Sequence, residues 1–168
     1  MANNQDFISI LKNVSFFQAF RKDTEMLSKI SLLCKKKFVK KGKAIISEGE
    51  SGDKLYIIAS GDIDIIKKTL QKEEYTVTTL SSSTCSVYVG ELALIDNDRR
   101  SATVLAKTDC HCLVIDRDDF IKFGNENPRA GLEITRIIAR QLSQNLRKSN
   151  QDVITIFSAL VEEISGNG

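Results

Sequence analysis

The sequence predicts a mainly β protein, a jelly-roll-like barrel with short helices before it and one long helix after it. Three observations carry that prediction. Between about Phe38 and Ile115 the chain breaks into short β-favouring runs separated by Gly, Ser, Asp and Asn, a pattern of all-β sandwiches and barrels rather than of βαβ units. Before that stretch, and again after Asn127-Pro128, apolar residues recur three or four apart, the period of an amphipathic helix. Finally, 168 residues fit one domain with a sizeable core and not two full ones.

The elements follow in order. Phe7, Ile10, Leu11, Val14, Phe16 and Phe17, then Met26, Leu27, Ile30 and Leu33, fall at helical spacing, so two or three short helices are expected within residues 1–37. Asp23-Thr24 supplies an N-cap for the second, because a side-chain oxygen there accepts from an amide that the helix leaves unpaired. Lys35, Lys36, Lys37, Lys40, Lys41 and Lys43 read as a solvated basic connection between helix and barrel. The barrel, residues 38–117, is expected from the runs Ala44-Ile46, Leu55-Ile58, Ile63-Ile66, Tyr75-Thr79, Ser86-Val89, Ala102-Ala106 and Cys110-Ile115, with Lys67 to Glu74 as a polar hairpin tip.

Residues 118–168 are expected to be helical, with Arg129 to Ile164 forming one long helix or two collinear ones. Its apolar stripe runs through Ile134, Ile137, Ile138, Leu142, Leu146, Val153, Ile156, Phe157, Leu160 and Val161. Core packing is expected of the first half, and core or contact with a second copy of the chain of the second.

Composition narrows the function classes. Lys plus Arg number 24 against 22 Asp plus Glu, a net charge of +2, far from the strongly basic footprint of a nucleic-acid-binding domain. No signal peptide is read at the start, and no run approaches the roughly 18 apolar residues of a membrane span, so a cytoplasmic protein is expected. Cys34, Cys85, Cys110 and Cys112 are too few and too irregularly placed for a disulfide framework. Cys110-His111-Cys112 hints at a metal pair, but on a strand the cysteines share one face and His111 points to the other. Two thiolates do not close a tetrahedral site, so the cysteines are assigned to the core and no metal or cofactor is expected.

Two stretches hold the functional information. The first, IISEGESGDKLYIIASG (residues 45–61), places Gly49, Gly52 and Gly61 at turns between short strands, where glycine alone takes positive φ without penalty. The second, YVGELALIDNDRRSATV (residues 88–104), opens with Gly90, follows with Glu91 and brings back an arginine nine residues later at Arg100. Free amides at such a turn bind an anionic phosphate. Arg100 adds a charge-assisted fork and Glu91 accepts from a sugar hydroxyl, so the stretch reads as a cradle for a ribose phosphate. Glu91 and Arg100 as a mere surface ion pair is the plainer alternative.

Together these stretches resemble the cyclic nucleotide-binding domain family of the catabolite activator protein, kinase regulatory subunits and nucleotide-gated channels. The resemblance covers about Phe16 to Leu146. It implies an eight-stranded β-roll, or double-stranded β-helix, with N-terminal helices, a phosphate-binding cassette at residues 89–104 and a single cyclic nucleotide-binding domain over 1–168. It also implies that Glu91 takes the ribose 2′-hydroxyl, that Arg100 takes the cyclic phosphate, and that backbone around Gly90, Leu92, Ala93 and Ala102 completes the cradle. Ser101, after the arginine, stands where a hydroxyl favours cGMP in some members, yet bacterial cAMP regulators also carry serine there. Asn145 and Leu146 are the residues assigned to capping the base. Arg99 is one residue too early for the phosphate and is assigned to the surface. Cys85 and Val89 depart from the glycine and aromatic usual before the Gly-Glu pair.

The function expected is therefore a non-enzymatic sensor of cAMP, ahead of cGMP, which signals to an effector of unknown identity through its C-terminal helix, with a homodimer through that helix as a further expectation. A metal-dependent enzyme on the same barrel fails for want of histidines, since His111 is the only one. A transcription regulator would carry a helix-turn-helix domain after the long helix, so no DNA contact is expected of the chain as given, although a truncated regulator would read the same and stays as an alternative. A degenerate module serving only protein contacts would not need Glu91 and Arg100.

Overall fold

The structure, a computed structural model, describes residues 4–96 and 98–166. Asn97, inside the cassette, lies outside the described residues, as do residues 1–3, 167 and 168. The chain divides after Ile134 into two compact units.

In the first unit, α1 (Asn4–Asn13), a 3-10 turn (Ser15–Phe20) and α2 (Thr24–Ser31) precede eight strands. The expected cap is present: Asp23 Oδ1 accepts from the Met26 amide at 2.9 Å. The strands are β1 (Lys35–Val39), β2 (Ala44–Ile46), β3 (Lys54–Ser60), β4 (Asp62–Lys68), β5 (Glu74–Ser81), β6 (Val87–Val89), β7 (Thr103–Ala106) and β8 (Cys110–Asp116). They form two four-stranded antiparallel sheets, ordered β1-β8-β3-β6 and β2-β7-β4-β5, the β-roll that the resemblance implied.

Side chains pointing between the sheets make the core: Val39, Ile46, Tyr56, Ile58, Ile63, Val87, Val89, Val104, Ala106 and Val114. Cys110 and Cys112 belong to it, buried, while His111 points outward against the Phe38 ring, 5.0 Å between centroids. That is the alternation expected of a strand. Burial pushes the Cys112 thiol up to about 11, so it stays neutral.

The outer face of the first sheet is covered too. Leu55, Ile57, Leu113 and Ile115 are buried, and Phe16 of the 3-10 turn meets Tyr88 of β6 at 5.2 Å. This explains why Leu-Tyr-Ile-Ile reads as a continuous apolar run: both faces of β3 are buried.

The β1 strand corrects the sequence expectation. Lys35, Lys36 and Lys37 lie not in a connection but on the edge strand of the first sheet, paired with β8 from Lys35↔Val114 to Val39↔Cys110, while Lys40, Lys41 and Lys43 lie in the turn after it, exposed as expected. Lysines on an edge strand oppose pairing with another chain's edge. The strand therefore begins at Lys35, ahead of the Phe38 at which the pattern places the start of the barrel.

After β8, α3 (Arg117–Glu126) leads to α4, which starts at Pro128 and runs to Gly166 as one helix. Proline suits the first turn because its missing N–H would have no partner there. Ala130 and Ile134 are buried in the first unit. In the second unit Leu146, Val153, Ile156, Phe157, Leu160, Val161 and Ile164 are all exposed. No helix among the described residues is long and apolar enough to cross a membrane.

Candidate functional site

The second glycine-bearing stretch forms a turn that leaves β6 and returns to β7. Gly90 follows Val89 with φ +80°, a left-handed conformation that side chains other than glycine's rarely adopt. A short 3-10 helix, Glu91–Leu94, comes next. The Ala93 amide donates to the Gly90 carbonyl at 3.2 Å, and the amides of Ile95 and Asp96 both donate to the Leu92 carbonyl at 2.9 Å. The returning arm is strapped to the loop between β2 and β3. Gly49 N–H donates to the Arg100 carbonyl and Arg100 N–H donates to the Glu50 carbonyl, each at 2.9 Å.

Arg100 is the centre of the arrangement. Its Nη2 donates to the Lys54 carbonyl at 2.7 Å and its Nη1 to the Gly90 carbonyl at 3.3 Å. Both acceptors are neutral, and no ion pair to Arg100 exists among the described residues. Two glycines make room for the side chain. A Cβ on Gly52 would lie 1.9 Å from Arg100 Nε, and one on Gly90 would lie 2.5 Å from Nη1. Gly52 is thus a glycine for steric reasons and not, as the turn pattern suggested, for positive φ. A guanidinium carries five N–H donors, so two bonds to carbonyls leave three for an anion.

Glu91, half-buried, opens the 3-10 helix. Burial pushes its carboxyl up from the usual glutamate value, with its own backbone amide and the charge of Arg100 pulling the other way. The plain ion-pair alternative is not what forms, because Arg100 spends its bonds on carbonyls. Leu92 and Ala102 are half-buried, Ala93 is buried and Ser101 is exposed. The amides of Ser101 and Ala102 have no hydrogen-bond partner among the described residues, whereas that of Ala93 is already used. Arg99 is exposed, with Nη1 3.3 Å from the Gly49 carbonyl. The structure thus brings Gly90, Glu91, Leu92, Ala93, Arg100, Ser101 and Ala102 into one turn. Asn145 and Leu146 lie on α4 in the second unit, both exposed.

Sequence reasoning missed Lys54, whose carbonyl holds the arginine, since any residue has a carbonyl. It also missed why Gly52 is glycine, because the atom that needs the space is 48 positions away.

The site is thus a half-buried arginine with no ion pair among the described residues, at a turn on a two-sheet β-roll. Comparison with known proteins assigns the family. Residues 36–127 match the model of the cyclic nucleotide-binding domain, and the chain belongs to that family. It is 34% identical over 121 residues to cGMP-dependent protein kinase 2 of Mus musculus, covering 71% of this chain and 15% of that protein. It is 33% identical over 114 residues to the cAMP-dependent protein kinase regulatory subunit of Yarrowia lipolytica, covering 63% of this chain and 29% of that one. Among solved structures, the N-terminal domain of a transcriptional regulator from Streptomyces coelicolor superposes with a TM-score of 0.70 at 25% identity, covering 86% of this chain and 94% of that one. The chain thus spans less than a third of the two kinase proteins.

Proposed function

We propose that this chain is a sensor that binds cAMP, ahead of cGMP, in the residue 89–104 cassette and performs no chemistry on it. The observation that carries this is Arg100: a half-buried cation held between two glycines by two carbonyls, with donors to spare and no ion pair among the described residues. A cyclic phosphate supplies the missing anion, and a charged hydrogen bond of this kind contributes about 1.5–3 kcal/mol.

Each cassette residue has a role in this reading. Arg100 and the amides of Leu92, Ala93 and Ala102 hold the phosphate, the Ala93 amide exchanging its Gly90 acceptor for the ligand. Gly90 and the small Ser101 let the backbone approach, and Glu91 accepts from the ribose 2′-hydroxyl. Asn145 and Leu146 on α4 cap the base. Relatives include proteins named for cAMP and for cGMP, so base choice is set by titration.

Signalling follows as a population shift. Phosphate capture draws the cassette inward and favours one position of α4, which changes a surface that an effector or a second copy meets. Such coupling acts only through a difference in affinity between the two helix positions. The exposed stripe from Leu146 to Ile164 suits a homodimer along α4. Four free cysteines suit a reducing cytoplasm.

The test is calorimetric titration with cAMP and cGMP on the wild-type chain and on Arg100→Ala. Saturable binding of cAMP, lost by about 100-fold or more in the variant, is expected from the removal of two charged hydrogen bonds. Binding of neither nucleotide, or equal binding by both chains, would contradict the proposal. Unchanged hydrogen exchange across 129–164 at saturating ligand would contradict the helix mechanism alone.

A further inference from the structure

Lys54, the first residue of β3, has two engagements at once. Its carbonyl accepts from Arg100 Nη2 at 2.7 Å. Its ammonium reaches across to β8, where Nζ lies 3.0 Å from Asp116 Oδ1, and it also contacts Asp53 Oδ1 at 2.8 Å. Lys54 and Asp116 are register partners in the β3–β8 ladder. The main chain repeats the connection, since the Arg117 amide donates to the Asp53 carbonyl at 2.8 Å. The residue that holds the cassette arginine is therefore tied, by side chain and by its neighbour's backbone, to the point where β8 becomes α3.

That point has a second property. Asp116 occupies the N-cap position of α3 yet makes no capping hydrogen bond with its side chain. An aspartate there ordinarily accepts from an amide of the first turn. Here the carboxylate is committed to lysines, Lys54 through one oxygen and Lys35 through the other. Lys35 also bridges to Asp119, one turn into the helix, at 2.9 Å. The first turn of α3 is left uncapped by its own residue and is positioned by lysines of β1 and β3.

We propose that Lys54 and Asp116 couple occupancy of the cassette to the first turn of α3. The inference rests on the assignment of Arg100 to the phosphate. When an anion draws the guanidinium toward itself, the Lys54 carbonyl loses or loosens its donor and the start of β3 readjusts. The ammonium then shifts against Asp116, and the turn Arg117–Phe120 follows. Lys54 is a positioning residue, acting on the ligand through Arg100 and on the helix through Asp116, and touching no nucleotide itself.

Amide hydrogen exchange at residues 117–120 of the full chain, with and without saturating cAMP, tests the coupling. The chains to compare are wild type, Lys54→Met, Asp116→Asn, Lys54→Arg and Lys35→Met, with calorimetry on the same samples. Lys54→Met keeps the backbone carbonyl and the stem while removing the charge. Lys35→Met breaks the other bridge to Asp116 without touching the support of the arginine.

In wild type the ligand is expected to change exchange by about fivefold or more, the lower end of typical couplings between sites. That ratio is expected to vanish in Lys54→Met and Asp116→Asn, to return in Lys54→Arg and to persist in Lys35→Met, while cAMP still binds to each. A bridge that merely clamps β3 to β8 would raise exchange equally with and without ligand, leaving the ratio intact, and this outcome overturns the inference. So does a wild type that binds cAMP with no change at α3. A wild type that calorimetry shows not to bind overturns the cyclic nucleotide assignment itself, which sets the two failures apart.

Discussion

The cassette, which passes from β6 of the first sheet to β7 of the second, and the β4–β5 hairpin within the second sheet are held by different means. In the hairpin the backbone closes on itself: the Thr69 amide donates to the Glu73 carbonyl and the Lys72 amide to the Thr69 carbonyl, both at 2.9 Å. The side chains point outward, with Leu70 fully exposed at the tip and β5 exposed along most of its length. In the cassette the return arm is bonded to another loop, and one side chain, Arg100, fills a notch left by two glycines and ends on two carbonyls. The hairpin tip is closed by local bonds, the Thr69 hydroxyl also accepting from the Glu73 amide at 3.1 Å. The cassette constrains identity at positions distant in sequence, Gly52 and Gly90 being kept small by Arg100.

Substitutions sharpen the contrast. After Arg100→Ala, the largest effect is expected from Gly52→Ala, whose methyl would stand where the guanidinium lies. Displacing one charged hydrogen bond should lower cAMP affinity by about 30-fold, from 1.5–3 kcal/mol, with little change in thermal stability. Gly49→Ala is its mirror: φ is +80° but the space is open. It should cost about 1–2 kcal/mol of stability and leave affinity nearly unchanged. Thermal melts and calorimetry on the two variants would break the comparison if both lost affinity alike.

Glu91→Gln comes next, with an affinity loss of about tenfold, the cost of weakening one charge-assisted acceptor. The same residue sets a pH dependence. Only the carboxylate is a pure acceptor, and burial raises its pKa above the ordinary glutamate value of 4.5. Affinity should therefore fall on acidification at a higher pH than an unperturbed glutamate would give, and Glu91→Gln should flatten that profile in titrations across the acid range.

A smaller effect concerns the stability of the fold beside the cassette. Hydrogen bonding to Lys35, with further help from Lys54, holds the Asp116 carboxyl below the ordinary aspartate value of 3.8. Its contribution is complete above that value and disappears as pH falls below it, through the depressed folded-state pKa. Acid unfolding followed by circular dichroism should show Asp116→Asn less stable at neutral pH and converging with wild type in strong acid.

The smallest effect belongs to the hairpin. Lys72 is non-glycine at φ 67°, so Lys72→Gly should raise stability by a few tenths to about 1 kcal/mol and leave ligand binding untouched.

Much of this was legible in the sequence, for physical reasons that can be named. Strands such as Cys110–Asp116 announce themselves because alternate residues face core and solvent, which placed Cys110 and Cys112 inside and His111 outside. Asp23 was legible as a cap because capping chemistry is local. The strand Lys35–Val39 was not, since an edge strand with four of its five residues exposed carries no alternation. It is specified by its partner β8. In the cassette, Gly90, Glu91 and Arg100 share one short register and were found together. Gly52 and Lys54 belong to the same site through contacts that cross from one loop to another, and their sequence signal is a glycine and an arbitrary carbonyl.

The most direct measurement is the amide and Arg side-chain NMR spectrum of the chain with increasing cAMP. The largest shifts are expected at Gly90–Leu94, at Ser101–Thr103 and at the Arg100 Nε–H, with Thr69–Glu73 of the hairpin unmoved. A spectrum that does not change, or one whose changes centre on the hairpin or leave Arg100 in place, would contradict the assignment of the cassette as the nucleotide site.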